Sequence, residues 1–326
     1  MIDKLTVTVL AEDSVGYETP FLGQHGISLL VEAERSGYGQ NGEIRDAGVE
    51  TDTAAAPTRM RVLMDVAQHP EPLLHNMERM KIEPSSIDAI VLTHCHYDHT
   101  QGLVRMIEEI GRPGLPVIAH PELFRPNFEI EPRLRPIGVP PTDRRELVES
   151  TGAHLMLSRT PLQLLPGLTT SGEIPRTTDY EGTNPGLFTL REGKLEPDPM
   201  MDDISLYAHV AGRGVVVLSG CSHAGIVNIV RHARTVCAPA KNESKSKDRA
   251  GTGVAAVMGG LHLITADQTT IESTVARLRD ENVGQVLAGH CTGFTAQTAL
   301  YHEFGRRFRP LYTGLVAEWS AAGGRD

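Results

Sequence analysis

Short apolar runs alternate with helical stripes along most of the chain. In the first third, LTVTVLAE (5–12), GISLLVEAE (26–34) and RVLMDV (61–66) are rich in Val, Ile and Leu and no longer than strands, so a strand-rich half is predicted there. Leu73, Leu74, Met77 and Met80 then recur at helical spacing, with Pro72 in a first turn that tolerates it. A strand over 88–93 follows. Next come a helix carrying Leu103, Ile107 and Ile110 that stops at Gly111, and a strand within LPVIAHP (115–121). Downstream, RGVVVLSG (213–220), VAAVMGG (254–260) and QVLAG (285–289) each end in Gly close to a Cys or His. Between the last two, Thr265 and Gln268 have the spacing of a capping box ahead of Ile271, Val275 and Leu278. A last helix is expected over 296–308, with Ala296, Leu300, Phe304 and Phe308 on one face.

Two stretches break the pattern. Residues 36–60 and 239–253 are polar and rich in small residues, and are expected to be surface insertions in a single domain spanning 1–326. A 326-residue chain that is 40% hydrophobic can fill a sizeable core. It has no apolar run near the roughly 18 residues of a membrane span, and its start lacks the pattern of a signal peptide. A cytoplasmic protein without a membrane partner is the expectation. A net charge of −10 without a basic stripe argues against nucleic acid and leaves a small-molecule substrate as the expected partner. Of the four cysteines, Cys95, Cys221 and Cys291 lie beside histidines, which suits metal chemistry better than disulfides.

The densest chemistry is THCHYDHTQG (93–102), directly after an apolar run. In an extended segment His94 and His96 fall on the same side, and Asp98 and His99 follow in the turn. Imidazoles and a carboxylate are donors that Zn²⁺, Mn²⁺ or Fe²⁺ accept. A lone histidine on a strand is usually structural. Four donors within six positions are better explained as metal ligands, and they would overcrowd one tetrahedral ion. Two divalent ions are therefore expected, zinc first, one taking the first His pair and the other Asp98 with His99. Further ligands are available at Cys221, His223, His262 and His290, each past the end of a predicted strand, where sheet-based sites collect their functional groups.

HxHxDH after a strand resembles the metallo-β-lactamase superfamily, and the resemblance covers nearly the whole chain. GEIPR (172–176), DDISL (202–206), GCSHAGI (220–226), GGLHL (259–263) and GHCTG (289–293) are similar to a narrower branch. That branch contains the archaeal dihydropterin-ribofuranosylaminobenzene phosphate synthases and many metal-dependent hydrolases. The resemblance implies an α/β fold, the four-layer αββα metallo-β-lactamase sandwich, with its metals at the edge between the sheets. It also implies a supporting role for Asp65 behind the ligands, a bridging or ligand role for Cys221, and His290 as the last ligand. The histidine that relatives place before the Cys221 strand is missing from DPMMDDIS. His223 is the nearest substitute, while His262 stands where several relatives keep a proton donor, and the two residues are interchangeable in these roles.

The expected metal ligands are thus His94, His96, Asp98, His99, Cys221, His223 and His290. His262, His223 and Asp98 are the candidate catalytic residues. His25, Arg176 and Tyr97 are candidates for substrate contact, although each has an ordinary structural explanation. Lys194 is a weaker candidate for a phosphate. Asp202 and Asp203 are expected either to cap a turn or to bond a ligating imidazole, and Cys95 and Cys291 to pack as small apolar residues. The main functional expectation is a hydrolase that activates water against an ester or phosphoryl group. The alternatives are a pterin-type transferase, condensing a dihydropterin pyrophosphate with an arylamine ribose phosphate, and a di-iron electron-transfer or ligand-sensing module.

Overall fold

Period-2 alternation in the strands decides the layering. In Lys4–Ala11, Leu5, Val7 and Val9 face one core while Leu10 faces another; in Ser28–Arg35, Leu29, Val31 and Ala33 oppose Leu30 in the same way. In Gly214–Ser219, Val216 and Leu218 oppose Val215 and Val217. Strands buried on both faces need a layer on each side. The computed structural model, which describes residues 1–35, 58–182, 186–238 and 253–321, supplies them.

One seven-stranded sheet runs Val316–Ser320, Lys4–Ala11, Ser28–Arg35, Thr58–Met64, Ala89–Val91, Pro116–Ala119, His154–Leu157. A second runs Phe308–Pro310, Gln285–Gly289, Val254–Gly260, Gly214–Ser219, Ser205–Val210, Leu168–Thr170, Gln163–Leu165. Their facing sides share the central core, in which Val7, Val31, Leu206, Leu218 and Met258 are buried. The helices Pro70–Arg79 and Leu103–Ile110 cover the outside of the first sheet through Leu73, Met77, Leu103 and Ile107. The helices Ile226–Val236, Gln268–Asp280 and Phe294–Phe304 cover the second. This is the four-layer αββα sandwich. A third sheet of four short strands, Lys194–Pro197, Leu187–Arg191, Asn127–Glu129 and Arg135–Pro136, was not visible in the periodicity. No described helix is long and apolar enough to cross a membrane.

Several boundaries differ from expectation. Thr265 and Gln268 do not form the cap: the N-cap is Asp267, whose side chain accepts from the Thr270 backbone N–H at 2.7 Å. The helix expected over 296–308 ends at Phe304, before Gly305 at φ 54°, and Phe308 opens a strand paired with Val286. Of the two expected insertions, 36–57 and 239–252 lie outside the described residues, while 58–60 already belong to the strand Thr58–Met64.

Strand direction positions the site. Thr58–Met64 and Ala89–Val91 are parallel neighbours, as are Gly214–Ser219, Val254–Gly260 and Gln285–Gly289. Their carboxyl ends therefore arrive at common edges, carrying Asp65, His94, Cys221, His262 and His290 just beyond them.

Candidate metal centre

After Val91 the chain bends at His94 and Cys95, and His96 (φ −62°, ψ 144°) precedes the one-turn helix Tyr97–Thr100 that carries Asp98 and His99. Four non-glycine residues around the centre have left-handed backbones: Asp65 (φ 58°), Ser222 (φ 64°), His262 (φ 48°) and His290 (φ 49°). Such conformations cost about 1–3 kcal/mol in the most sparsely populated regions and persist where the surroundings impose them. Here they turn side chains inward at the ends of strands.

Two ligands of one tetrahedral ion, each about 2.0–2.3 Å from it, stand roughly 3.3–3.7 Å apart. The observed separations fall close to that range. His94 Nε2 lies 3.1 Å from His96 Nδ1, and His99 Nε2 lies 3.1 Å from Cys221 Sγ. Asp98 Oδ2 is 3.2 Å from His290 Nε2 and 3.5 Å from His99 Nε2. The opposite ring nitrogens are occupied: His94 Nδ1 is 3.0 Å from Thr93 Oγ1, His96 Nε2 is 3.2 Å from Asn127 Oδ1, and His99 Nδ1 is 2.7 Å from Asp65 Oδ2. Asp65 also accepts from the Thr93 backbone N–H at 2.8 Å and from Thr93 Oγ1 at 2.7 Å. Outer partners of this kind fix tautomers and aim the free nitrogens at a common point.

Two donor groups result. Asp98, His99, Cys221 and His290 bring one ligand atom each to within 4.8 Å of one another, and so do His94, Cys221 and His223. His96 joins the second group through His94, and its ring centroid is 4.7 Å from that of His223. Cys221 belongs to both groups. His262 stacks one ring further out, 4.1 Å from His223, and meets Cys221 and Cys291 in a third group. Its Nδ1 has no hydrogen-bond partner among the described residues.

Three of the imidazoles suit cation binding as they stand. Burial, reinforced by His99 and His96, holds His94 well below the usual imidazole value, and burial brings His96 down to about 4. Burial, with His262 next, lowers His223 in the same way. These rings are neutral near pH 7, with lone pairs available. His99 differs: burial opposes its charge, but Asp98 and Asp65 raise it to about 9. Burial likewise opposes the charge on Asp98, yet His99 and the hydrogen bond from His290 keep it well below the usual carboxylate value. Burial, and then Cys291, pushes the Cys221 thiol far up, so its ionisation calls for a cation beside it.

The remaining candidates are spread around this cluster. His25, about half exposed, stands at its mouth, with Nε2 3.5 Å from Asp98 Oδ2 and Nδ1 3.3 Å from Asp13 Oδ1. The Tyr97 ring centroid is 6.3 Å from that of His25. Arg176 is held elsewhere, its guanidinium donating to the carbonyls of Ile174, Pro199 and Met200. Lys194 is exposed on the third sheet. Asp202 and Asp203 reach the backbone beside the imidazoles rather than the rings, accepting from Cys95 N at 2.8 Å and Ala224 N at 2.6 Å. Cys95 is fully buried, as expected of a packing residue, whereas Cys291 faces His262 and Cys221. Asp13, Asn127 and Cys291 were not anticipated in these roles. Asp13 follows the strand Lys4–Ala11, so the strand-end rule would have reached it; Asn127, in FRPNFEI, carries no such signal.

A family model described as a beta-lactamase superfamily domain matches residues 56–194. The chain is 36% identical over 324 residues to the 7,8-dihydropterin-6-methyl-4-(beta-D-ribofuranosyl)-aminobenzene-5'-phosphate synthase of Methanocaldococcus jannaschii, covering 98% of both proteins. Among solved structures, it is similar to a metal-dependent hydrolase of the beta-lactamase superfamily, with a TM-score of 0.71 at 23% identity over 97% of this chain and 99% of that one. It is also similar to a metallo-beta-lactamase fold protein from Bacillus subtilis, with a TM-score of 0.52 at 12% identity over 97% of this chain and 100% of that one.

Proposed function

Since the chain belongs to the metallo-β-lactamase superfamily, in the branch that resembles the archaeal dihydropterin-ribofuranosylaminobenzene phosphate synthases, we propose that it is a single-domain metalloenzyme with two divalent ions, acting on a small molecule bearing an ester or phosphoryl group. The observation that carries this reading is the spacing of the donors, 3.1–3.5 Å between inward atoms whose outer partners already fix the rings. His94, His96 and His223 would hold one ion and Asp98, His99 and His290 the other, with the Cys221 thiol standing beside both donor groups. When bound, the pair supplies Lewis acidity and lowers the pKa of water. Asp65 keeps His99 Nε2 turned inward. His25 and Tyr97 contact the substrate at the mouth, and His262, through its unpartnered ring nitrogen, gives a proton to the leaving atom.

Two nucleophiles fit this centre. With water, the ester or phosphoryl bond breaks, the water oxygen joins the electrophile and the leaving group takes a proton: a hydrolase. With an arylamine ribose phosphate in place of water, the amine nitrogen would bond to the pterin-bearing carbon as that carbon's C–O bond to pyrophosphate breaks and the amine gives up a proton, a pterin-type transfer. The 36% identity over 98% of both chains to the Methanocaldococcus jannaschii synthase favours this second reading. Elemental analysis of the purified protein tests the centre: about two ions per chain are expected, with less than half retained in His96→Ala and Asp98→Ala. Unchanged metal content in both variants would refute it. Turnover of phosphodiester, ester and lactone substrates, set against mass-spectrometric search for a pterin condensation product, separates hydrolase from transferase.

A further inference from the structure

A cavity of about 600 Å³ opens beside the ligand turn, between that turn and the third sheet. Its walls are flat and stiff: Phe124, Phe128 and Tyr97 with Pro126, Pro136 and Pro140. The chain has 7 Phe and 7 Tyr, so the presence of three in one cavity is a local enrichment. Its charged lining residues are Arg125 and Arg135, and no carboxylate lines it. Arg125 is neutralised from behind by Asp198 and Asp202, each 2.7 Å away. Arg135, which pairs with Glu129 through Nε at 2.6 Å, is about half exposed at the wall. Two residues join the cavity to the centre. Asn127 lines it and touches His96 Nε2 at 3.2 Å, and Tyr97 lines it next to His96 in sequence.

A concave, mainly apolar space of this size with a few polar groups at one end suits a small ligand. Aromatic walls favour a flat ring through offset or edge contacts, while both lining arginines are already paired with carboxylates, which leaves the anionic group to the metal centre. We propose that this cavity is the subsite that holds the aromatic ring of a substrate whose phosphate or ester group lies at the metal centre. The inference rests on the function proposed above for its reactive end. The ring-binding half stands on the cavity alone.

Calorimetric titration of the metal-loaded protein with 1-naphthyl phosphate, 1-naphthol and inorganic phosphate tests it. The expected result is that 1-naphthyl phosphate binds at least about tenfold more tightly than inorganic phosphate. Val139→Trp, which fills the cavity, and Phe128→Ala, which removes a wall, should each weaken both naphthyl probes by about tenfold or more while metal content and phosphate affinity stay put. If both variants fold, keep their metal and bind the naphthyl probes as the wild type does, the cavity is not the ring site. Failure of the function above looks different: a protein without metal that ignores phosphate, yet binds 1-naphthol in a manner blocked by Val139→Trp, refutes the metal centre and supports the cavity.

Discussion

Asp65 is fully buried and holds three groups at once: the His99 ring, the Thr93 backbone N–H and the Thr93 hydroxyl. Gly220 packs so close that a Cβ there would come 3.0 Å from the same carboxylate and 2.2 Å from Thr93 Oγ1, so the backbone of the Cys221 turn is pressed onto this support. Replacing Asp65 by Asn keeps the shape but offers one acceptor oxygen instead of two, and an amide where His99 Nδ1 or Thr93 donates. Partners behind metal-binding imidazoles typically contribute about 10–100-fold in affinity. Asp65→Asn is therefore expected to weaken metal binding by about that factor in a chelator competition, with the fold retained by circular dichroism. At this scale the sequence was informative where donors crowd together. His94, His96, Asp98 and His99 are legible because one turn brings them together, and His290 and Cys221 because they end apolar runs. Asn127 was not, because its link to His96 spans 31 positions and a loop of no distinctive composition.

Among the elements, the least legible features were the ends. The helix Gln268–Asp280 starts at Asp267, because its carboxylate reaches the Thr270 N–H, whereas Thr265 stands outside the helix and Gln268 bonds Glu272. Asp267→Ala is expected to lower the melting temperature by about 2 °C, and Thr265→Ala to leave it unchanged. Equal shifts in the two variants would restore the capping box. The stop at Phe304 has a similar cause. Phe304 and Phe308 share one core at a spacing that suits a helix, so hydrophobicity alone could not show that Gly305 turns the chain and Phe308 enters a strand. By contrast, Gly111 ended its helix where expected, in a left-handed conformation with its N–H on the Ile107 carbonyl.

Across the whole molecule, a buried ion-pair network ties the third sheet to the sandwich. Arg125, just before the strand Asn127–Glu129, bonds Asp198 beyond the strand Lys194–Pro197 and Asp202, which in turn holds the Cys95 backbone inside the ligand turn. Burial opposes the charge on Asp198, but Arg125 and the Met200 N–H lower its pKa below the usual carboxylate value. A carboxylate with a depressed folded-state pKa stabilises the protein above its unfolded value, and that contribution is lost as pH falls through the folded value. Asp198→Asn should thus destabilise the protein at neutral pH by about 1.5–3 kcal/mol, the loss of a charged hydrogen bond while Asp202 still neutralises Arg125, with the difference narrowing below about pH 4 in denaturant titrations. A gap that stays constant with pH would show that the pair is not what matters.

The sequence by itself determined the short apolar strands and the crowding of candidate metal ligands in one turn, while the four layers were implied by the family resemblance. Alternation in the strands allows one side chain per face per step, so doubly apolar strands demand cover on both sides, and the ligand turn is local enough for its spacing to imply convergence. Tertiary structure alone decided that Cys221 is shared by two donor groups, that His223 rather than His262 stands beside His94, and that Asn127 and the aromatic cavity adjoin His96. Those relations join residues up to more than a hundred positions apart. They depend on the order in which strands assemble into sheets and on how the sheets face, which a periodic pattern along one chain does not encode.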